Sequence, residues 1–198
     1  MSRNHKWNIH SKGTGPARIV LFVSRNKDNK HLENFKERRH SFITRKTNEE
    51  LQEDFEAFYA KRRPGEMCRM YVSVNARDMT KVNKELIHFL IDNPDFDLEV
   101  IETKIAAIAA KKECAAEKKW MFDVDFDSRY MLDEFMADIE SIDVTLKCTW
   151  YETPHGFAVV TNHGFDTRGL LKKWNTERVS GGSIELKRDD MLCIHWLS

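Results

Sequence analysis

The chain predicts an α+β fold, with a mostly antiparallel sheet and helices packed on it in two layers. Two observations carry this. Strand-period and helix-period segments follow one another in the order strand, helix, strand, helix, helix, strand, helix, hairpin, short helix, hairpin, a mixed order with paired strands at the C-terminal end. There is also no internal repeat and no linker-like boundary, so the 198 residues read as one compact unit. Within it, residues 1–66 form a basic strand–helix region that packs on or extends a core of residues 67–198.

Residues 1–17 carry Gly13, Gly15 and Pro16 among polar residues and predict a loose start. Arg18–Val23 is a short apolar run closed by Ser24-Arg25-Asn26-Lys27, a buried strand and its turn. Thr47-Asn48-Glu49-Glu50 is a capping box, and Leu51, Phe55 and Phe58 give one helix face before Pro64-Gly65 stops it. Met67–Val74 alternates as a strand into the polar turn Asn75-Ala76-Arg77-Asp78. Val82, Leu86 and Phe89 mark a helix ended by Asn93-Pro94. Ile101, Ile105, Ile108 and Ala115 mark a longer, Ala-rich helix that ends at Lys118-Lys119 and leads directly into the next strand. Ser128 caps a helix with Leu132, Phe135, Met136 and Ile139 on one face. Ile142–Tyr151 alternates without interruption and predicts a strand, turned by Glu152–Gly156 into its partner Phe157–Val160. A short helix around Leu170–Trp174 follows. Gly181-Gly182 then precedes a last hairpin, Ser183–Leu186 with Met191–Trp196.

Composition narrows the classes. With 41% hydrophobic and 32% charged residues and no apolar run of the roughly 20 residues a bilayer span needs, the chain reads as a soluble cytoplasmic protein with no membrane role. The four cysteines lack metal-knuckle spacing and read as reduced thiols. The zero net charge conceals an asymmetry: residues 1–63 hold 15 Lys/Arg against 8 Asp/Glu, whereas residues 64–145 hold 10 against 18. A basic arm beside an acidic centre suits a metal-using enzyme with a polyanionic substrate, and equally a protein with two unrelated solvated faces. Lys36, Arg38, Arg39, Arg45 and Lys46, interleaved with Phe35 and Phe42, are the candidate nucleic-acid contacts; a solvated loop is the competing reading. Arg69 and Arg77 read as ion-pair partners of the acidic centre or as triphosphate contacts.

The stretch Trp120–Asp127 organises these observations. As a strand it sets Phe122, Val124 and Phe126 on one face and Asp123, Asp125 and Asp127 on the other, with successive aspartates about 7 Å apart at Cα. Such a row repels itself unless a hard cation such as Mg²⁺ or Mn²⁺ sits among the carboxylates, or unless it is simply an exposed acidic edge. Asp127, just before Ser128, reads as a helix-start residue.

An apolar strand with Phe122-Asp123-Val124-Asp125, then a helix, a strand and the turn Thr153-Pro154-His155-Gly156-Phe157-Ala158 resembles the catalytic core of archaeo-eukaryotic primases and primase-polymerases, over roughly residues 67–196. The resemblance implies a primase-like palm of RRM type. Its expected activity is nucleotidyl transfer on a nucleic-acid template from nucleoside triphosphates, with two Mg²⁺ or Mn²⁺ ions held by Asp123, Asp125 and a third acid. That acid is Asp189, or else the adjacent Asp190. His155, Arg77, Arg129, Thr153 and Gly156 are the expected nucleotide contacts. The chain departs from the pattern at Ala158, where the family usually has a histidine that contacts phosphate. The departure raises a second reading, an inactive primase-like accessory factor of viral or mobile-element type that binds nucleic acid, a replication protein or a host protein. A nuclease would use the same acids with water as nucleophile. A haloacid-dehalogenase phosphatase also uses Asp-x-Asp but has Thr or Val where Asp127 stands.

Overall fold

The computed structural model describes residues 15–177 and 183–198. Residues 1–14 of the loose start, and Gly181-Gly182, lie outside the described residues. The architecture is α+β, as the sequence predicts: two antiparallel four-stranded sheets with helices packed against them.

The first sheet has the order β2-β1-β3-β8, from β1 (Arg18–Ser24), β2 (Arg38–Thr44), β3 (Cys68–Ser73) and β8 (Met191–Leu197). Helix α1 (Asn48–Tyr59) forms because Thr47 and Glu50 close the capping box. Its Leu51, Phe55 and Phe58 pack on Val20 and Phe22 of β1 and Met70 of β3. Phe22 is the hub, meeting Phe42, Phe55 and Phe58 at ring centroid distances of 5.4, 5.4 and 5.8 Å. Each fully buried ring of this kind contributes about 1.5–3 kcal/mol relative to exposure.

The second sheet has the order β5-β6-β4-β7, from β4 (Trp120–Val124), β5 (Cys148–Thr153), β6 (Gly156–Thr161) and β7 (Ile184–Lys187). Its outer face carries Phe122, Val124 and Val159. Against it pack Leu132, Phe135 and Ile139 of α4 (Arg129–Ile142), Leu170 of α5 (Arg168–Lys172) and Trp174 in the π-turn that follows. Helices α2 (Met79–Asp92) and α3 (Ile101–Ala109) pack against each other and close on Ile19. Among the described residues no helix is long and apolar enough to cross a membrane.

Three element expectations are corrected. The Ala-rich helix stops at Ala109 and does not run to Lys119. Buried Cys114 accepts a backbone hydrogen bond from Asp78 and Ala116 donates one to Ala76, so pairing with the 76–78 turn overrides alanine's helix preference. The alternation beginning at Ile142 is only partly strand. Helix α4 takes Ile142, Asp143 then turns the chain by accepting from Thr145 N and Oγ1, and β5 starts at Cys148, leaving Val144 87% exposed. The last two strands are not a hairpin either: β7 pairs with β4 and β8 with β3, so Arg188–Asp190 carries the chain from one sheet to the other. There Leu192 and Ile194 of β8 join Met121 and Ala158 in the first sheet's core cluster, which locks the two sheets together.

Candidate active site

A cleft of about 550 Å³ opens where the two sheets meet. Its acidic wall belongs to the second sheet. The β4 register sets Asp123 between Ala158 on β6 and Glu185 on β7. Asp125 follows one pleat on, past the end of β4. Its backbone N–H donates to Ser183 O (2.9 Å) and its carboxylate accepts from Ser183 Oγ (3.0 Å). Glu185, Asp190 and Lys187 line the same wall. Burial, then Asp125, hold the Asp123 carboxyl above the ordinary aspartate range; Glu185 and Asp190 push the same way and Lys187 opposes them. Of the three aspartates in the expected row, Asp123 and Asp125 line this cleft, and Asp127 lines the pocket beside it.

The facing wall is cationic. Arg69 and Tyr71 of β3 and Arg39 of β2 line it, with Arg25 and Lys27 from the turn after β1. Arg69 Nη2 donates to Asp28 Oδ1 (2.7 Å), and Arg25 Nε donates to Asp28 Oδ2 (2.8 Å). Burial would raise the Asp28 carboxyl, but the hydrogen bonds and charges of Arg25 and Arg69 hold it below its ordinary range. Arg69 Nη2 also lies 3.2 Å from His155 Nε2. A guanidinium only donates, so Nε2 is the acceptor and the His155 proton resides on Nδ1. The Arg69 Nε is buried without a hydrogen-bond partner in a side chain only 5% exposed. The Nε of Arg77 is buried and unbonded in the same way, so this atom alone does not mark a ligand contact. Burial pushes the Tyr71 hydroxyl up, and pushes the Cys193 thiol to about 11, so Cys193 is inert lining.

His155 reaches the cleft through a tight turn. Thr153 pairs with Gly156, which leaves Pro154 and His155 as the two turn residues. Gly156 has φ 147°, and a Cβ there would overlap the carbonyl oxygens of Val124 and Phe126. This close approach fastens the turn beside Asp125; both line an open pocket that flanks the cleft together with Thr153, Asp127 and Glu152.

The other expected residues divide. Asp189 does not face the cleft. Arg77 holds it in a fork at 2.9 and 2.9 Å and Asn75 adds 3.1 Å, so the acids at the site besides Asp123 and Asp125 are Asp190 and Glu185. Arg77 is correspondingly consumed as a scaffold cation. Arg129 stacks on the Trp150 ring at 3.6 Å and pairs with Asp133 at the start of α4, away from the cleft. Of the basic run, Arg39 lines the cleft. Arg38 binds Glu66, Lys46 binds Asp54, Arg45 donates to Gly15 O, and Lys36 is exposed. Arg25, Lys27, Glu185 and Lys187 also line the cleft, and the sequence alone did not single them out. The signals were the cations directly after an apolar strand, and the alternation Ile184-Glu185-Leu186-Lys187.

Carboxylate oxygens are the right donors for a hard divalent cation, and the raised Asp123 carboxyl is what such a cation would relieve. Among the described residues, no three of His, Cys, Asp and Glu converge closely enough to form a ready-made metal group, so side chains would have to swing inward to share one ion. Comparison with known protein families, with curated proteins and with solved structures finds no match.

Proposed function

We propose that the protein is a divalent-metal-dependent nucleotidyltransferase of primase-polymerase type, acting on a nucleic-acid template with nucleoside triphosphates. The single observation that supports this best is the opposition of charges across one cleft, with Asp123, Asp125, Glu185 and Asp190 on one wall and Arg25, Lys27, Arg39 and Arg69 on the other. Asp123, Asp125 and Asp190 would hold Mg²⁺ or Mn²⁺. The bound cation would neutralise polyphosphate charge and lower the pKa of an attacking 3′-hydroxyl.

The chain's own residues do the rest. Arg69, fixed by Asp28, lines the cleft and would set its guanidinium charge beside a bound phosphate. His155, beside Arg69, lines the cleft from the neighbouring turn and would add a ring nitrogen to the phosphate contacts. Arg39 and Lys27, both exposed, add charge that draws a polyanion to the opening. Catalysis of this kind rests on positioning and electrostatics more than on covalent chemistry.

A second reading, a primase-like protein that binds nucleic acid or a protein partner without chemistry, is favoured by one observation. Ala158 is the cross-strand neighbour of Asp123, and it fills the position where the resemblance calls for a phosphate-contacting histidine with a methyl group packed near Leu192.

One experiment separates them: single-stranded template, labelled nucleotides, and Mn²⁺ or Mg²⁺, with products resolved on a gel. Extension is expected, falling by at least about 100-fold in Asp123→Asn and in Asp125→Asn. Absence of product with either metal, with salt-sensitive binding of the strand retained, would leave the binding protein standing instead.

A further inference from the structure

The cationic wall of the cleft holds a buried carboxylate. Asp28 sits in the turn after β1 with its side chain 4% exposed. Its Oδ1 accepts from Arg69 Nη2 (2.7 Å) and Arg25 Nη2 (3.1 Å), and its Oδ2 accepts from Arg25 Nε (2.8 Å). Two of the cations that line the cleft, one from β3 and one from the turn itself, therefore share a single counter-charge. Burial works against that charge, yet the two arginines keep the carboxyl below the ordinary aspartate range, so it is ionised at neutral pH.

The turn is itself fastened. Fully buried Asn29 donates from Nδ2 to Arg25 O (2.9 Å), Ser24 Oγ (3.1 Å) and Met67 O (3.1 Å), and its Oδ1 accepts from Met67 N (2.6 Å). These bonds tie the turn to the residue before β3, so the backbone that carries Arg25, Lys27 and Asp28 has a fixed place beside Arg69.

By charge alone Asp28 is out of place, because a carboxylate among cations weakens their pull on an anion. Stability explains it poorly, since a buried ion pair gives back in desolvation much of what its attraction gains. What Asp28 supplies is order. A guanidinium held by a carboxylate has given up rotamer freedom before a ligand arrives, so less is lost on binding.

We propose that Asp28 is a positioning residue for polyphosphate: it holds Arg25 and Arg69 side by side so that together they bind the phosphate chain of a substrate in the cleft. This rests on the nucleotidyltransferase reading and deepens its phosphate side.

The test titrates inorganic tripolyphosphate into the full chain by calorimetry, at low salt and with chelator present. The parent is expected to bind saturably. Asp28→Asn makes the wall more positive and is nonetheless expected to bind about tenfold more weakly. Arg25→Lys conserves charge and removes the fork, at a side chain 32% exposed, and is expected to bind about three- to tenfold more weakly. Both are measured well below their melting temperatures. Equal or tighter binding by Asp28→Asn, or by Arg25→Lys where Asp28→Asn does not fold, would overturn the positioning role and leave nucleotidyl transfer, read separately by strand extension, untouched. Absence of tripolyphosphate binding by the parent would overturn the proposal as well.

Discussion

Arg77 and Arg69 are two buried arginines with the same inventory and different duties. Each side chain is almost fully enclosed, each pairs with an aspartate, and each keeps a buried Nε without a partner. Arg77 gives both terminal nitrogens to Asp189, a residue more than a hundred positions away, and so ties the β7–β8 crossing to the turn after β3. Arg69 gives one nitrogen to Asp28 and His155 together and lines the cleft. Burial and pairing alone therefore do not identify a functional cation. What distinguishes the two is whether the fork is closed on its partner or open toward a cavity.

The contrast can be broken most forcefully at Arg77. Arg77→Met removes one member of a buried pair and leaves Asp189 with Asn75 alone, so a loss of about 3–5 kcal/mol is expected in denaturant unfolding. A loss no greater than that of a surface substitution would show that the fork is not structural. Arg69→Met should be milder for stability, about 1–3 kcal/mol, because Arg25 still satisfies Asp28. Its larger effect should be on anion binding: titration with inorganic tripolyphosphate is expected to weaken about tenfold in Arg69→Met and not at all in Arg77→Lys. Equal effects in both variants would erase the distinction.

The smallest expected effect concerns the opposite wall. The Asp123 carboxyl is raised by burial and by neighbouring acids, so its ionisation works against folding when no cation is bound. A raised carboxyl stabilises below its unfolded value near 4 and loses that contribution as pH rises through the folded value. Asp123→Asn should therefore melt about 2–4 °C higher than the parent at neutral pH in chelator, with the gap closing in acid. A variant that melts lower at neutral pH would mean that the carboxylates are not crowded.

Much of this was legible in the sequence. The capping box at Thr47, the strands at Arg18 and Trp120 and the turn at His155 follow from local rules, and so does the α+β class. Asp123, Asp125, Thr153 and His155 do line one cleft. The rest depended on partners far along the chain. Nothing local to Asp189-Asp190 says that the first turns to Arg77 and the second to Asp123, because that is decided by the crossing between sheets. Arg38 and Lys46 looked like a basic surface because Glu66 and Asp54, which neutralise them, are distant or on another element. The Ile142–Lys147 alternation misled because a short Asp143 turn produces the same spacing as a strand.

That crossing has a further consequence for how the protein tolerates change. Asp189 and Asp190 are adjacent, yet one fastens the scaffold and the other serves the cleft, while the Asp190 carbonyl also accepts from Val74 N. A one-residue insertion or deletion between Leu186 and Met191 would slide one or both aspartates out of place, so that Arg77 or the cleft loses its carboxylate. Length here is therefore more tightly constrained than composition. Glutamate or asparagine at one position leaves its neighbour in place, whereas a shift by one residue displaces the scaffold contact and the cleft carboxylate at once.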